Sequence, residues 1–237
     1  MLKLENISYR YKNGENDVLK SVSCVFEDSK IHAVIGPSGS GKTTMLSIMA
    51  GLDKPAQGEI FIDGDNLSKL DLNRYRRERV SMVFQAFHLF PLLTAIENVC
   101  QPMEMNNVPK SEAIKTAKAL LESVGIEASK HKRYPANLSG GEQQRVAIAR
   151  SLSSGAKVLL ADEPTGNLDK ENGDAVIAIL HKLAHEEGYC VIIVTHNNEI
   201  AETSDTIHKI SDGVLKTTTN LTDLNPDTYT IDLSPEK

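Results

Sequence analysis

Gly36, Pro37, Ser38, Gly39, Ser40, Gly41, Lys42 and Thr43 fit the spacing G-x-x-x-x-G-K-[ST]. Glycines at these positions let a chain curl so that backbone N–H groups converge on a phosphate. The helix predicted to follow, with Thr44 in its first turn, adds the positive end of its dipole. Lys42 would neutralise the outer phosphates, and the Thr43 hydroxyl is a magnesium donor. A second donor and a base for water are needed, and Val158-Leu-Leu-Ala-Asp162-Glu163 ends an apolar run in two adjacent carboxylates. Asp162 suits the ion and Glu163 suits proton abstraction from an attacking water. The alternatives are a Gly-Ser turn and an acidic strand end. Each is common singly and weakened by the other's presence.

These groups need a frame. Leu2–Ile7, Val18–Phe26 and Glu59–Asp63 read as short strands, with turn signals at Asn13-Gly14 and Asp63-Gly64. Ile31–Ile35, Val80–Phe84, Val158–Ala161 and Val191–Thr195 are apolar runs of the kind buried on both faces, with helical patterns between them. The expected fold is α/β: a largely parallel P-loop core, an N-terminal antiparallel β subdomain and an inserted α-helical subdomain over residues 86–156. In that insertion Ala113, Ala117, Leu120 and Val124 recur at helical spacing before a stop at Gly125. Residues 1–216 form the ATPase domain in this reading, and 217–237 a peripheral tail.

The net charge of -6 gives no electrostatic reason to expect nucleic acid. The basic run Arg74-Tyr-Arg-Arg-Glu-Arg79 reads as a solvated helix face. Cys24, Cys100 and Cys190 lack metal-ligand spacing and read as reduced thiols of a cytosolic protein. No apolar run approaches the roughly 20 residues that span a bilayer, so membrane contact is expected only through a partner.

Leu138-Ser139-Gly140-Gly141-Glu142-Gln143-Gln144-Arg145 resembles the signature sequence of ABC ATPases. It is a second glycine-bearing helix start, and one nucleotide does not need two such cradles from one chain. The resemblance implies that Ser139, Gly140 and Gly141 cover the nucleotide held by another subunit. By the same resemblance Tyr11 stacks on adenine, with Tyr9 as competitor. Gln85 senses magnesium and water, His196 contacts the γ-phosphate, and Asp169 of Gly166-Asn-Leu-Asp169 crosses to the opposite subunit. Asn197, Ser153-Ser-Gly-Ala156 and Ser29-Lys30 depart from the family pattern without removing a reacting group.

The segments around Gln85 and Asp162 are most similar to the LolD/MacB/FtsE/BceA branch. That implies an ATP- and magnesium-dependent homodimer, or a pair with another ABC subunit, on the cytoplasmic face of a membrane, driving an FtsX/MacB-type permease. The output is export of peptide, lipoprotein or antibiotic, or mechanical work across the membrane; the alternatives are an FtsE-like signalling or cell-division ATPase and a soluble non-transport ABC ATPase. Phe87, Leu89, Phe90, Leu92 and Leu93 either line a groove for a permease helix or pack the helical subdomain.

Overall fold

The core strands are nearly continuously apolar because both faces are covered, while period-two alternation marks Leu2–Tyr9. The computed structural model describes residues 1–12, 14 and 16–224. The chain opens with β1 (Leu2–Tyr9), β2 (Leu19–Phe26) and β3 (Lys30–Ile35), then α1 (Lys42–Met49), β4 (Gln57–Ile62) and β5 (Asp65–Asn66). Next come α2 (Leu72–Glu78), β6 (Val80–Phe84), α3 (Ala95–Met105), α4 (Lys110–Ser123) and α5 (Gly140–Leu152). The last elements are β7 (Val158–Asp162), α6 (Lys170–His185), β8 (Cys190–Val194), α7 (Asn198–Glu202), β9 (Thr206–Ser211) and β10 (Val214–Thr218).

Two sheets result. One is antiparallel, in the order β2-β1-β4-β5. The other runs β10-β9-β3-β8-β7-β6 and is parallel except at β9–β10. Along β8, Val191 and Ile193 face α3–α6, while Cys190, Ile192 and Val194 face α1 and the antiparallel sheet. That alternation over a wholly buried strand explains its continuous apolar sequence.

The expected helical segment lies between β6 and β7, and Gly125 stands just past α4 with φ of 76°. Its helices share a core with the sheet: Val99, Leu121 and Val146 pack in one cluster with Val83, Leu159 and Ile193. Asn98, fully buried in α3, donates to the carbonyls of Phe90, Leu93 and Thr94 and ties the preceding loop down.

The expected tail boundary at 216 falls inside a strand. Thr217 and Thr218 pair with His208 and Ile207 in β10–β9. Residues 225–237 and Asn13 of the expected Asn13-Gly14 turn lie outside the described residues. The missed hairpin is fastened by histidines. His32 Nε2 lies 3.1 Å from the Glu27 carbonyl, which only accepts, so Nε2 carries the hydrogen. His32 Nδ1 can then accept from His208 Nε2 at 3.5 Å, and His208 Nδ1 accepts the Thr217 hydroxyl at 2.9 Å. Both rings are therefore neutral.

Burial, and secondarily His32, pushes the His208 pKa down to about 3. A base with a depressed folded pKa stabilises fully above its unfolded value near 6.5, and loses that contribution as pH falls toward 3. Stability is expected to drop by up to about 1.4 kcal/mol per pH unit in that window. His208→Gln should flatten the slope; an equally steep urea-unfolding pH profile in the variant would refute the assignment.

Candidate functional site

Four elements converge on one cavity of about 510 Å3. Its walls include Tyr11, Gly36, Pro37, Ser38, Gly39, Gly41, Lys42, Thr43, Thr44, Asp162, Glu163 and His196. Gly41, at φ 107°, is the N-cap of α1, and no side chain caps that helix. Its first-turn amides are thus left to an anion. Lys42 Nζ donates to the carbonyls of Gly36 and Pro37 at 2.8 and 2.9 Å, curling the loop around itself. Within the loop Ser40 is buried, and its hydroxyl has no partner among the described residues.

Parallel pairing sets the acidic wall. Asp162 ends β7, opposite Phe84 on one side and Val194 on the other. Burial, and then the Glu163 charge, raise the Asp162 pKa above the usual carboxylate value; Lys42 opposes them. Glu163 adopts a left-handed φ of 46°, costly for a residue with a side chain, and its amide donates to the Val194 carbonyl at 2.9 Å. That turn brings its carboxylate to His196, with Oε1 2.7 Å from Nδ1. The Thr195 hydroxyl donates to Oε2 at 3.2 Å. Sequence reasoning missed Thr195, because a threonine closing an apolar strand carries no chemical signal of its own.

Tyr11 reaches the cavity rim, half exposed, and its hydroxyl shares a hydrogen bond with Thr44 at 2.8 Å. Its competitor Tyr9 is buried and meets Tyr11 edge to face. Asn197, the departure after His196, caps α7 through Glu199 N.

Other expected residues stand apart. Gln85 does not line the cavity: its Nε2 donates to Asn167 Oδ1 at 3.2 Å, and its carbonyl accepts from Asn167 Nδ2 at 2.9 Å. Asp169 caps α6, with both carboxylate oxygens taken by Asn172, and lines a separate open groove. Those hydrogen bonds from Asn172 lower its pKa. Ser139, Gly140 and Gly141 begin α5 away from the cavity. Ser139 and Glu142 form a reciprocal capping box, leaving the Gly140 and Gly141 amides without intrahelical partners.

The sequence profile of the ABC transporter family matches residues 19–166, which hold the phosphate loop, the signature segment and both carboxylates. The chain belongs to the ABC transporter family. This ABC cassette is 40% identical over 219 residues to the lipoprotein-releasing system ATP-binding protein LolD 2 of Rhodopirellula baltica, covering 88% of this chain and 85% of that one. It is 42% identical over 218 residues to the macrolide export ATP-binding/permease protein MacB of Escherichia coli, covering 90% of this chain and 33% of MacB. A dimeric post-hydrolysis structure of the cassette MJ0796, from Methanocaldococcus jannaschii, bound to ADP and Pi, superposes with a TM-score of 0.83. Identity there is 39%, with 92% of this chain and 98% of that chain covered. The cassette is an ATP-binding subunit of the LolD/MacB/MJ0796 type and an ATPase.

Proposed function

We propose that two copies of this chain close around two MgATP molecules, and that closing and opening drive a separate membrane permease. The observation that carries the reading is that one chain keeps its two anion-binding helix starts apart. Lys42 and α1 face the cavity, and Ser139–Gly141 do not. A γ-phosphate bound at Lys42 supplies negative charge for a second copy's α5, so the triphosphate joins the halves. Tyr11 offers its exposed ring to the base.

Glu163 takes the proton of the attacking water. Its carboxylate can only accept from His196 Nδ1, which fixes that hydrogen and leaves Nε2 for the substrate. Thr43 and Asp162 fit magnesium: an exposed hydroxyl and a carboxylate on one cavity wall are hard oxygen donors. Gln85 does not stand with them, since Asn167 holds its amide. Bound magnesium would neutralise charge on the outer phosphates. The test is the solution mass of the Glu163→Gln chain: a dimer is expected with saturating ATP and a monomer without it. A monomer in both would end the reading.

Support for a permease comes from the surface. No helix among the described residues is long and apolar enough to cross a membrane. A groove of about 310 Å3 is lined by Arg77, Met82, Phe90, Met105 and Arg150, among others. Phe90 and Met105 are about half exposed and Leu92 is 87% exposed, whereas Leu89 packs into the core. Of the basic run, Arg74 pairs with Glu78 and Arg79 with Asp63 and Asp65, which leaves Arg76 and Arg77 on the groove. The name of MacB joins ATP-binding to permease in one polypeptide, of which this chain matches a third. Leu92→Asp with Met105→Asp is expected to leave the isolated ATPase within about twofold, as surface changes do. Loss of the membrane subunit on co-purification would be the accompanying effect; its undiminished recovery would remove the groove from the account.

A further inference from the structure

Helix α5 grips the segment that carries Gln85 at two points. Gln144 is fully buried, and its Nε2 lies 2.7 Å from the Pro164 carbonyl and 3.4 Å from that of Phe84. Both neighbours accept, so the amide must turn its NH2 toward them. Phe84 immediately precedes Gln85, and Pro164 immediately follows Glu163. The Gln144 oxygen has no donor among the described residues. An apolar side chain of similar size would leave the Pro164 carbonyl without this donor, so the NH2 of Gln144 is what ties the turn after Glu163 to α5.

At the far end of α5, Arg150 donates to the carbonyls of Phe87 at 3.1 Å and His88 at 2.5 Å. Phe87 and His88 hold successive left-handed φ values of 59° and 49°. Side-chain-bearing residues keep such a pair only under outside constraint. At its start α5 also presses Gly141 against Asn172, which holds Asp169. Helix α5 is therefore bonded to the backbone flanking Gln85 and Glu163, while its own first turn lies away from the cavity that Glu163 lines.

We infer that Gln144 is a positioning residue that couples the two nucleotide sites of the dimer. The inference rests on the proposal that Ser139–Gly141 covers the other copy's nucleotide. When that cradle closes, α5 is drawn with it. Gln144 passes the displacement to Phe84 and Pro164, setting Gln85 and Glu163 in its own site. Each copy readies its water-activating groups when its cradle has closed on its neighbour's ATP.

The experiment is steady-state ATP hydrolysis by the full chain across ATP concentration, beside Gln144→Met, which keeps the volume and loses the donor. Two coupled sites bound the wild-type Hill coefficient at about 2. Gln144→Met is expected to bring it to about 1 and to lower kcat roughly tenfold, with half-saturating ATP within about twofold. A variant with the wild-type coefficient and kcat overturns the inference. So does a Glu163→Gln/Gln144→Met chain that stays monomeric with ATP while Glu163→Gln dimerises, because Gln144 would then act in assembly. A monomeric Glu163→Gln removes the dimer reading itself, a separate failure. If Gln144→Met does not fold, Arg150→Lys probes the other grip. Its coefficient should also move toward one, and an unchanged value counts against the coupling.

Discussion

Glu163→Gln is expected to lower kcat by about 10²–10⁴-fold, the range lost with a positioned general base. The substitution is nearly isosteric. The amide oxygen still accepts from His196 Nδ1, now 2.7 Å from Oε1, and the amide nitrogen can donate to the Thr195 hydroxyl that now bonds Oε2. What disappears is the capacity to take a proton, together with one negative charge. ATP affinity should therefore hold or improve. The Glu163 charge helps to raise the Asp162 pKa, so the variant's Asp162 should titrate lower. MgATP binding should then persist to lower pH than in the wild type. Single-turnover phosphate release and equilibrium ATP binding separate the two effects. A variant that hydrolyses ATP at the wild-type rate would show that another group activates the water.

The second large effect is expected from Gly141→Ala. A Cβ at this position would lie 2.0 Å from Asn172 Oδ1, 2.4 Å from its Cγ and 2.8 Å from its Cβ. Rotating the amide does not relieve a clash that reaches the Asn172 Cβ, so the start of α5 must part from the start of α6. A charge-assisted hydrogen bond contributes about 1.5–3 kcal/mol, and a dimer loses one cradle per site. The dimer constant should weaken by roughly 10²–10⁴-fold. Nucleotide affinity of the single chain should be unchanged, because the cavity does not include Gly141. Gly173→Ala, in α6 and outside the cradle, is the control, since its Cβ meets only Thr165 at ordinary distances of 3.6 and 3.7 Å. Ultracentrifugation in the Glu163→Gln background reads both; equal dimer constants for the two alanine variants would contradict the argument.

Chemistry carried by contiguous residues was the most legible in the sequence. The phosphate loop, the Asp162-Glu163 strand end and the four apolar strands each follow from types and spacing within a few positions. Relations between distant segments were not. The β9–β10 hairpin mixes Thr, His and Lys with Ile, and its anchor is His32, remote in sequence. Thr195 became visible only when β8 set it beside Glu163. Gln85 directly follows β6, yet which way its amide turns depends on Asn167, from another loop.

The core shared by α3–α5 and the parallel sheet limits how this protein can move. A lever with its own interior could swing on a flexible joint and keep its apolar contacts. Here α5 ties these helices to the sheet through its packing on β6, and a free swing would strip that seam. The permitted stroke is a small slide of packed surfaces over one another, in the manner of shear. Any force passed to a membrane partner would then be delivered over ångströms.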